Sequence, residues 1–577
     1  MHNAVNQRTD RPTKRHTNNI RRWRFLRSKG SQGNLLLKKH EHQITSVMKE
    51  TDVLIIGAGP TGLTLALELS LQNIPIRIID SISVRSDKSR ALVLHPRTLE
   101  LMKRHGLVGK FQAHGIVNTA VRIFANKKFV YEVDILDIGF GDTEFPTPMM
   151  ISQADIEGVM DDALAKYGVC VEMPVTAEKL AQDEDGVTAW LKDGQGNEEV
   201  LRCKYVVGCD GAHSIVRRST GLEFKGAAYP QDFILADVHL KWAEKACLTL
   251  FMGQGFMAIF PMKDGVFRII CSRPNQVNVD TEPTIEDFEE VFRTLAPGKA
   301  ELLDPVWIAR FRLHHRNVEK YRVGRMFLAG DAAHIHSPAG GQGMNTGIHD
   351  AINLGWKLAS VIRGEGNNEL LDSYTIERHR VGENLLKGTD RLFEMMATTH
   401  PIYLYLRNTF VPWILPWVMG SRGLRANRFR FISQLGIRYR HSPVVGQAST
   451  YKGPLRGGDR TPDGALMGAE VETSVIGLLM GPTYHLLLFS GTGSEALNGE
   501  GLHKIATDFL NENKGVKVHE ICAGASPSTA SVVDKDGDVH KLYSFQEPSY
   551  VLVRPDGYIA FIGQITAMGE LKTWLKG

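Results

Sequence analysis

The sequence predicts an α/β protein: an open, mostly parallel sheet of the Rossmann-like kind, interleaved with a separate β-sheet and followed by a second, smaller α/β unit. Three observations support this. Thr51–Asp80 reads strand, glycine turn, helix, strand. Two later strands, KYVVGCDGAHSIVRR (Lys204–Arg218) and RMFLAGD (Arg325–Asp331), each deliver an aspartate beside a glycine, and a fresh strand–helix alternation begins after GPLRGGDRTPDG (Gly453–Gly464). With 577 residues, 43% of them apolar and 23% charged, the chain exceeds a single core and has room to bury a large ligand.

Residues 1–47 are basic and polar without a continuous apolar run, so a disordered leader is expected and a secretory signal is not. The first 50 residues hold twelve Lys/Arg and three Asp/Glu, which makes the net charge of +4 local to this end. Nucleic-acid binding is therefore not expected of the protein as a whole.

In TDVLIIGAGPTGLTLALELSLQNIPIRIID an apolar strand ends at Gly57, the glycines of GxGxxG are Gly57, Gly59 and Gly62, a helix follows, and Asp80 closes the second strand. Glycines in such a turn let a pyrophosphate approach the helix N-terminus, while the closing acid accepts from ribose hydroxyls. The strand ends carrying Asp210 and Asp331 converge on the same edge, since open α/β sheets bind ligands outside the carboxyl ends of their strands. Insertions near 114–146 and 227–319, rich in β-branched and aromatic residues, are expected to form a sheet that roofs this site. The expected organisation is a leader (1–47), a dinucleotide-binding domain with these insertions (48–395), a helical connection (396–447) and a final α/β unit (448–577).

The loop SPAGGQGMNTG (Ser337–Gly347) places four glycines between an apolar strand and a helix starting near Met344. Glycines clustered between two ordered elements predict a tight turn or a close approach to a ligand. FSGTGSEAL (Phe489–Leu497) also fits a glycine fingerprint, but Asn498-Gly499-Glu500-Gly501 interrupts the helix such a turn must open, and the next strand ends without an acid; a loop is expected. Asp331, His334 and His336 lack the spacing of a metal-binding motif, so no metal is expected. The six cysteines form no CxxC and read as reduced thiols of a cytoplasmic protein. The most apolar stretch, NTFVPWILPWVMGS (Asn408–Ser421), holds fourteen residues and two prolines, too short for a membrane span.

On three ordered motifs, GAGPTG, CDGAHSIVRR and AGDAAHIHSPAGGQGMNTGIHDAINLGWKLA, the chain resembles the FAD-dependent aromatic hydroxylases. These are class A flavoprotein monooxygenases of the phenol hydroxylase and 3-(3-hydroxyphenyl)propionate hydroxylase kind, and the resemblance runs from about Lys49 to the C-terminus. It implies FAD as cofactor, NADPH or NADH as a transient co-substrate, and O2. It also implies an aromatic, phenolic substrate hydroxylated through a C4a-hydroperoxyflavin. Gly57, Gly59, Gly62 and Asp80 would hold the ADP half of FAD, with Arg90 and Gln153 beside the pyrophosphate and ribityl chain. Asp331 would accept from ribityl or neighbouring hydroxyls, and Asp210 would belong to a segment serving both FAD and NADPH. Gly343, Met344 and Asn345 would line the flavin ring, with Pro338 and Gly343 shaping the place where oxygen reacts.

One departure is Leu92, which stands where phenol hydroxylase carries a pocket aspartate; phenol itself is not implied. GGDRTPDG, YHLLLFSG and PSYVLVRPDGYIAFIG are similar to the thioredoxin-like C-terminal domain of the phenol hydroxylase branch. Without a CxxC that unit is expected to be structural, compatible with a homodimer. Alternatives are a polyketide or quinone oxygenase of the same fold, and a flavin dehydrogenase or redox sensor that does not hydroxylate.

Overall fold

Strands covered on both faces must be apolar throughout, and Val53–Ile56, Tyr205–Val207 and Met326–Leu328 are buried without alternation. They form the centre of a parallel sheet in the computed structural model. The structure describes residues 49–577 except 87–90, 243–245, 274–280, 299, 337–339, 398–399, 469–470, 525–531 and 577. The expected leader, Arg90 and Pro338 lie outside the described residues.

The sheet runs in the order Arg322–Val323, Met326–Leu328, Glu198–Gly208, Lys49–Ile56, Ile76–Ile79. Its last four strands are parallel, and their carboxyl ends are level: Ile56 pairs with both Gly208 and Ile79, and Gly208 with Leu328. The hairpin of Val175–Gln182 and Val187–Asp193 branches antiparallel from the start of Glu198–Gly208. Helix Pro60–Leu71 packs against Gly343–Ile362 and Gln153–Ala165. At the first crossing a Cβ on Gly355 would lie 2.6 Å from Cβ of Glu68, so glycine sets how closely the two helices approach.

Both insertions join one eight-stranded sheet, in the order His334–Ile335, Glu301–Asn317, Lys225–Lys241, Val266–Ser272, Phe256–Pro261, Leu248–Met252, Ala120–Ala125, Lys128–Asp134. Period-two alternation divides its side chains between two faces. Ile234, Ala236, Met257, Ile259, Ile269 and Cys271 pack on helix Ile285–Leu295 through Phe288, Val291 and Phe292. The other face carries Phe233, Leu235, Phe256, Ala258 and Phe311.

After the helices Asn368–Ala397, Pro401–Gly420 and Arg422–Ile432, a third sheet begins. Its order is Gly446–Gln447, Ile559–Gln564, Ser549–Val553, Tyr484–Phe489, Val516–Ala523, Val532–Asp534, Ala465–Met467, Glu472–Ser474. Tyr484–Phe489 and Val516–Ala523 are parallel, joined through helix Gly499–Glu512, whereas Ser549–Val553 and Ile559–Gln564 are antiparallel neighbours. Phe489–Leu497 ends a strand and continues as a loop, but Asn498-Gly499-Glu500-Gly501 is no interruption. The Asn498 side chain accepts from the Gly501 N–H at 2.9 Å and caps that helix. The six cysteines are all free thiols. Among the described residues no helix is long and apolar enough to cross a membrane.

This third sheet is tied to the rest by buried charge. Glu377, in Asn368–Ala397, accepts from both terminal nitrogens of Arg554 (2.6 and 2.9 Å), from Lys357 (2.8 Å) and from Ser442 (2.6 Å). Burial alone would raise its pKa, but Arg554 and Lys357 outweigh burial and hold it well below the usual carboxylate range. Arg554 also pairs with Asp556, and Arg97 donates to the Asp556 carbonyl at 2.9 Å.

Candidate functional site

The site grows from four level strand ends. Gly57 follows the first with φ +101°, and a Cβ there would lie 2.7 Å from the Asp210 backbone nitrogen; one on Gly62 would overlap the Gly57 carbonyl oxygen. The protein's own packing therefore dictates both glycines. Gly59 differs: the atom nearest to an added Cβ is Glu157 Oε1, at 4.0 Å, so its Cα faces open space. The helix behind it starts at Pro60 with no side-chain cap and no acid in its first turn. Its first N–H groups and the positive end of its dipole are left for an external anion.

Asp80, at the end of Ile76–Ile79, accepts from the Ala58 N–H at 2.7 Å and the Ile82 N–H at 3.1 Å, which brings its carboxylate to the glycine turn. Arg85 reaches the same turn, donating to the Ala58 carbonyl at 2.6 Å, to Glu157 at 3.2 Å and to Asp161 at 2.9 Å. Gln153 opens its helix and donates to Glu157 at 2.7 Å. Burial raises the pKa of Glu157 despite Gln153 and Arg85.

Asp210 follows the strand Glu198–Gly208 and accepts from the Ile215 N–H at 2.7 Å, while its buried Oδ1 has no hydrogen-bond partner. Burial raises its pKa. Asp331 lies in a short turn beyond Met326–Leu328, exposed between buried Gly330 and Ala332. Surrounding protein raises its pKa and the Asp350 charge adds to this, with His334 opposing. The Asp331 carboxylate is thus flanked by buried backbone and open to solvent on one side.

Behind it, Asp350 of helix Gly343–Ile362 accepts from the Gly330 N–H (3.0 Å), His334 Nε2 (2.6 Å) and Arg378 Nε (2.6 Å). Burial would raise the Asp350 pKa, but Arg378 and His334 prevail and it lies far below the usual range. Arg378 continues to the Tyr439 hydroxyl and the Thr346 carbonyl. A Cβ on Gly330 would lie 2.6 Å from Thr61 Oγ1, and one on Gly347 would overlap the same atom, so the two helices and the Asp331 turn interlock.

The loop before Gly343 is pinned by Val93–Thr98. Gly340 and Gly341 take φ of +82° and +63°. His95 Nε2 donates to the Gly340 carbonyl at 2.7 Å; burial lowers the His95 pKa to about 4, with the hydrogen bond opposing, so the ring is neutral. The Asn345 side chain accepts from the His95 N–H and the Thr98 hydroxyl and donates to the carbonyls of Val93 and Gly341, all between 2.7 and 2.9 Å. That amide is fully used within the protein, which leaves Asn345 only its backbone N–H for a ligand. An added Cβ on Gly343 would meet nothing within 4 Å, and its helix, like the first, has no side-chain cap and no acid in its first turn. Across from this loop Leu92, Val93 and Met150 pack with Leu248, Phe260 and Met262, joining the parallel sheet's loops to the aromatic face of the roofing sheet.

The structure thus brings Gly57, Gly59, Gly62, Asp80 and Gln153 to one turn. Asp210 and Asp331 stand at neighbouring strand ends, and Gly343, Met344 and Asn345 form the first turn of a second uncapped helix. Arg85, His95, Thr98 and Asp350 escaped sequence reasoning. Arg85 lies five residues beyond Asp80 and was the one with a local signal; the others act through partners distant in sequence.

These features fit a flavin dinucleotide: two uncapped helix N-termini, open space at Gly59 and Gly343, and an exposed carboxylate, Asp331, at a neighbouring strand end. Residues 50–389 match the FAD binding domain family, and the chain belongs to that family, alongside FAD-dependent monooxygenases of aromatic compounds and polyketides. It is a flavoprotein oxidoreductase. It is 32% identical over 551 residues to 6-methylpretetramide 4-monooxygenase of Streptomyces rimosus, covering 91% of this chain and 93% of that protein. It is 30% identical to pentachlorophenol 4-monooxygenase of Sphingobium chlorophenolicum, covering 88% and 93%. The structure of anhydrotetracycline hydroxylase from Streptomyces rimosus superposes with a TM-score of 0.71 at 28% identity, covering 91% of this chain and 98% of that one.

Proposed function

We propose that the protein hydroxylates an electron-rich aromatic ring system, using FAD, NADPH or NADH as reductant, and O2. The observation that carries this reading is the opening at Gly343. An uncapped helix N-terminus faces open space, and the loop before it packs on Val93, whose cluster reaches the buried aromatic face through Phe260. Bound FAD supplies the redox chemistry, accepting a hydride and activating oxygen for transfer to the ring.

The chain's own residues bind and orient. The N–H groups after Gly59 hold the pyrophosphate, Asp80 the ribose, and Asp331 accepts from ribityl hydroxyls. The first N–H groups of Gly343–Ile362 would address the flavin ring, and about half a positive charge at that terminus would favour negative charge on it. Gly343 would border the space above the ring, and the apolar side chains Leu92, Met150 and Phe260 would exclude water there. Asp210, with an unpartnered buried Oδ1, stands at the edge shared by flavin and reductant.

The relatives act on both a chlorinated phenol and tetracyclic polyketides. Leu92 is buried among apolar neighbours, which supports a large apolar ring system over phenol. We further propose the division into a flavin domain (48–395) with roofing insertions, a helical connection (396–447) and a C-terminal unit (448–577). For that last unit, the neighbours Ile559–Gln564, Ser549–Val553, Tyr484–Phe489 and Val516–Ala523 within its eight-stranded sheet, with helices Gly499–Glu512, Asp538–Tyr543 and Met568–Trp574, support a thioredoxin-like fold without a dithiol.

The test is a screen of phenols, naphthols and polycyclic aromatic polyketides for stimulation of NADPH and NADH oxidation, scored by product mass. A hydroxylated product formed in step with nicotinamide oxidation is expected. Stimulated oxidation that yields only hydrogen peroxide with every aromatic class would overturn the reading.

A further inference from the structure

The fourteen-residue apolar stretch that is too short to span a bilayer lies within helix Pro401–Gly420 and is turned outward. Ile402, Leu406, Phe410, Trp413 and Trp417 recur at spacings of four, four, three and four, which places them on one face. Trp413 is 81% exposed, Trp417 75%, and Tyr405 beside them 69%. At 1.5 Å per residue the stripe is roughly 22 Å long. The opposite side holds the helix to the roofing sheet: Arg407 is buried and donates to the Gly253 carbonyl, and the helix lies on Lys128–Asp134. Ile414 widens the exposed apolar surface, and Leu424 and Phe431 extend it into the next helix.

The charge carried by this stretch has one sign, although exposed Asp134 and Asp137 lie on the segment that it packs against. From Met395 to Gly458 the sequence contains nine Lys/Arg and no Asp or Glu. Arg428 is exposed and makes no ion pair among the described residues; Arg425 reaches only the Asp137 carbonyl, at 3.2 Å. Arg430 already occupies Asp142, which Arg460 also neutralises. Exposed Trp and Tyr beside unpaired arginine are the composition of a helix that lies in a lipid headgroup layer. A second copy meets this surface less well. A two-fold contact across it would set the arginine-rich helices of both copies together with no carboxylate from this stretch to pair them.

We propose that Pro401–Gly420, with Arg425 and Arg428, is a peripheral docking surface for an anionic lipid bilayer. The apolar stripe enters the headgroup boundary and the guanidinium groups engage lipid phosphates. This is independent of the catalytic reading.

The test is co-sedimentation of the full-length, flavin-loaded protein with vesicles of phosphatidylcholine, with and without phosphatidylglycerol, at low and high NaCl. The wild type should pellet with anionic vesicles, and added salt should release it. The double variant Trp413→Glu/Trp417→Glu, at exposed positions, should lose roughly tenfold or more in vesicle affinity while keeping wild-type flavin content and melting temperature. Tryptophan emission should shift to the blue on vesicle addition in the wild type only. Wild-type protein that stays in the supernatant, or pellets equally with neutral vesicles, would overturn the proposal. So would pelleting that survives in the double variant, which would place binding elsewhere, in the basic residues before Met48 for example. A dimer that dissolves in the double variant, without vesicle binding by the wild type, would assign the face to a second copy and overturn it as well.

Discussion

At the scale of single residues, the glycines separate folding from cofactor binding. Gly62→Ala should impair folding itself, because its Cβ would overlap the Gly57 carbonyl. An added Cβ at Gly343 meets no protein atom within 4 Å, so Gly343→Val should melt like the wild type yet fail in flavin reduction or coupling. Equal melting temperatures for both variants would contradict this contrast. Asp331→Ala removes a charged acceptor worth about 1.5 to 3 kcal/mol, so FAD should bind roughly ten- to a hundredfold more weakly, read by flavin fluorescence on dilution.

His95 gives a pH signature. Its folded pKa is about 4 against 6.5 for a free imidazole, so the unfolded state binds the extra proton between these values. Its contribution is complete above pH 6.5 and is lost as pH falls towards 4, by at most about 3 kcal/mol. Denaturant melts at pH 7 and pH 5 should show this slope, and His95→Gln should flatten it. The glycine fingerprint and the acids at strand ends were legible because their spacing is local. His95 was not, because its partner Gly340 lies 245 residues away.

At the scale of elements, the roofing sheet shows how alternation divides labour between two faces, one spent on helix Ile285–Leu295 and the other turned to the loops around Leu92. Phe260→Ala, on the second face, should change which aromatic compounds stimulate NADPH oxidation while leaving flavin content intact. An unchanged substrate profile would remove that face from the pocket. The strand-rich insertions were legible from β-branched and aromatic composition, but their fusion into one sheet was not: Leu248–Met252 runs parallel to Ala120–Ala125 across more than a hundred residues. The helix after Asn498 was misjudged for a physical reason. Asn498-Gly499-Glu500-Gly501 has the composition of a turn, and only the 2.9 Å bond from Gly501 to the Asn498 side chain shows it to be a cap.

At the scale of the molecule, Glu377 is one joint between the flavin-binding part and the C-terminal sheet. Glu377→Gln leaves Arg554 and Lys357 buried beside a neutral amide, and breaking a buried pair in this way costs about 3 to 5 kcal/mol. A lower melting temperature should appear with the C-terminal sheet released first, as early proteolysis after Gly453; a variant that melts like the wild type would show the network to be dispensable. Nothing in the sequence announced this joint, because Glu377 and Arg554 are ordinary charged residues 177 positions apart. Its consequence concerns modularity. A C-terminal unit borrowed from a relative would arrive with its own side chain at the Arg554 position, facing Glu377, Lys357 and Ser442 in a buried seam. Recombination between such enzymes at this boundary should therefore succeed only where those positions travel together as one heritable set.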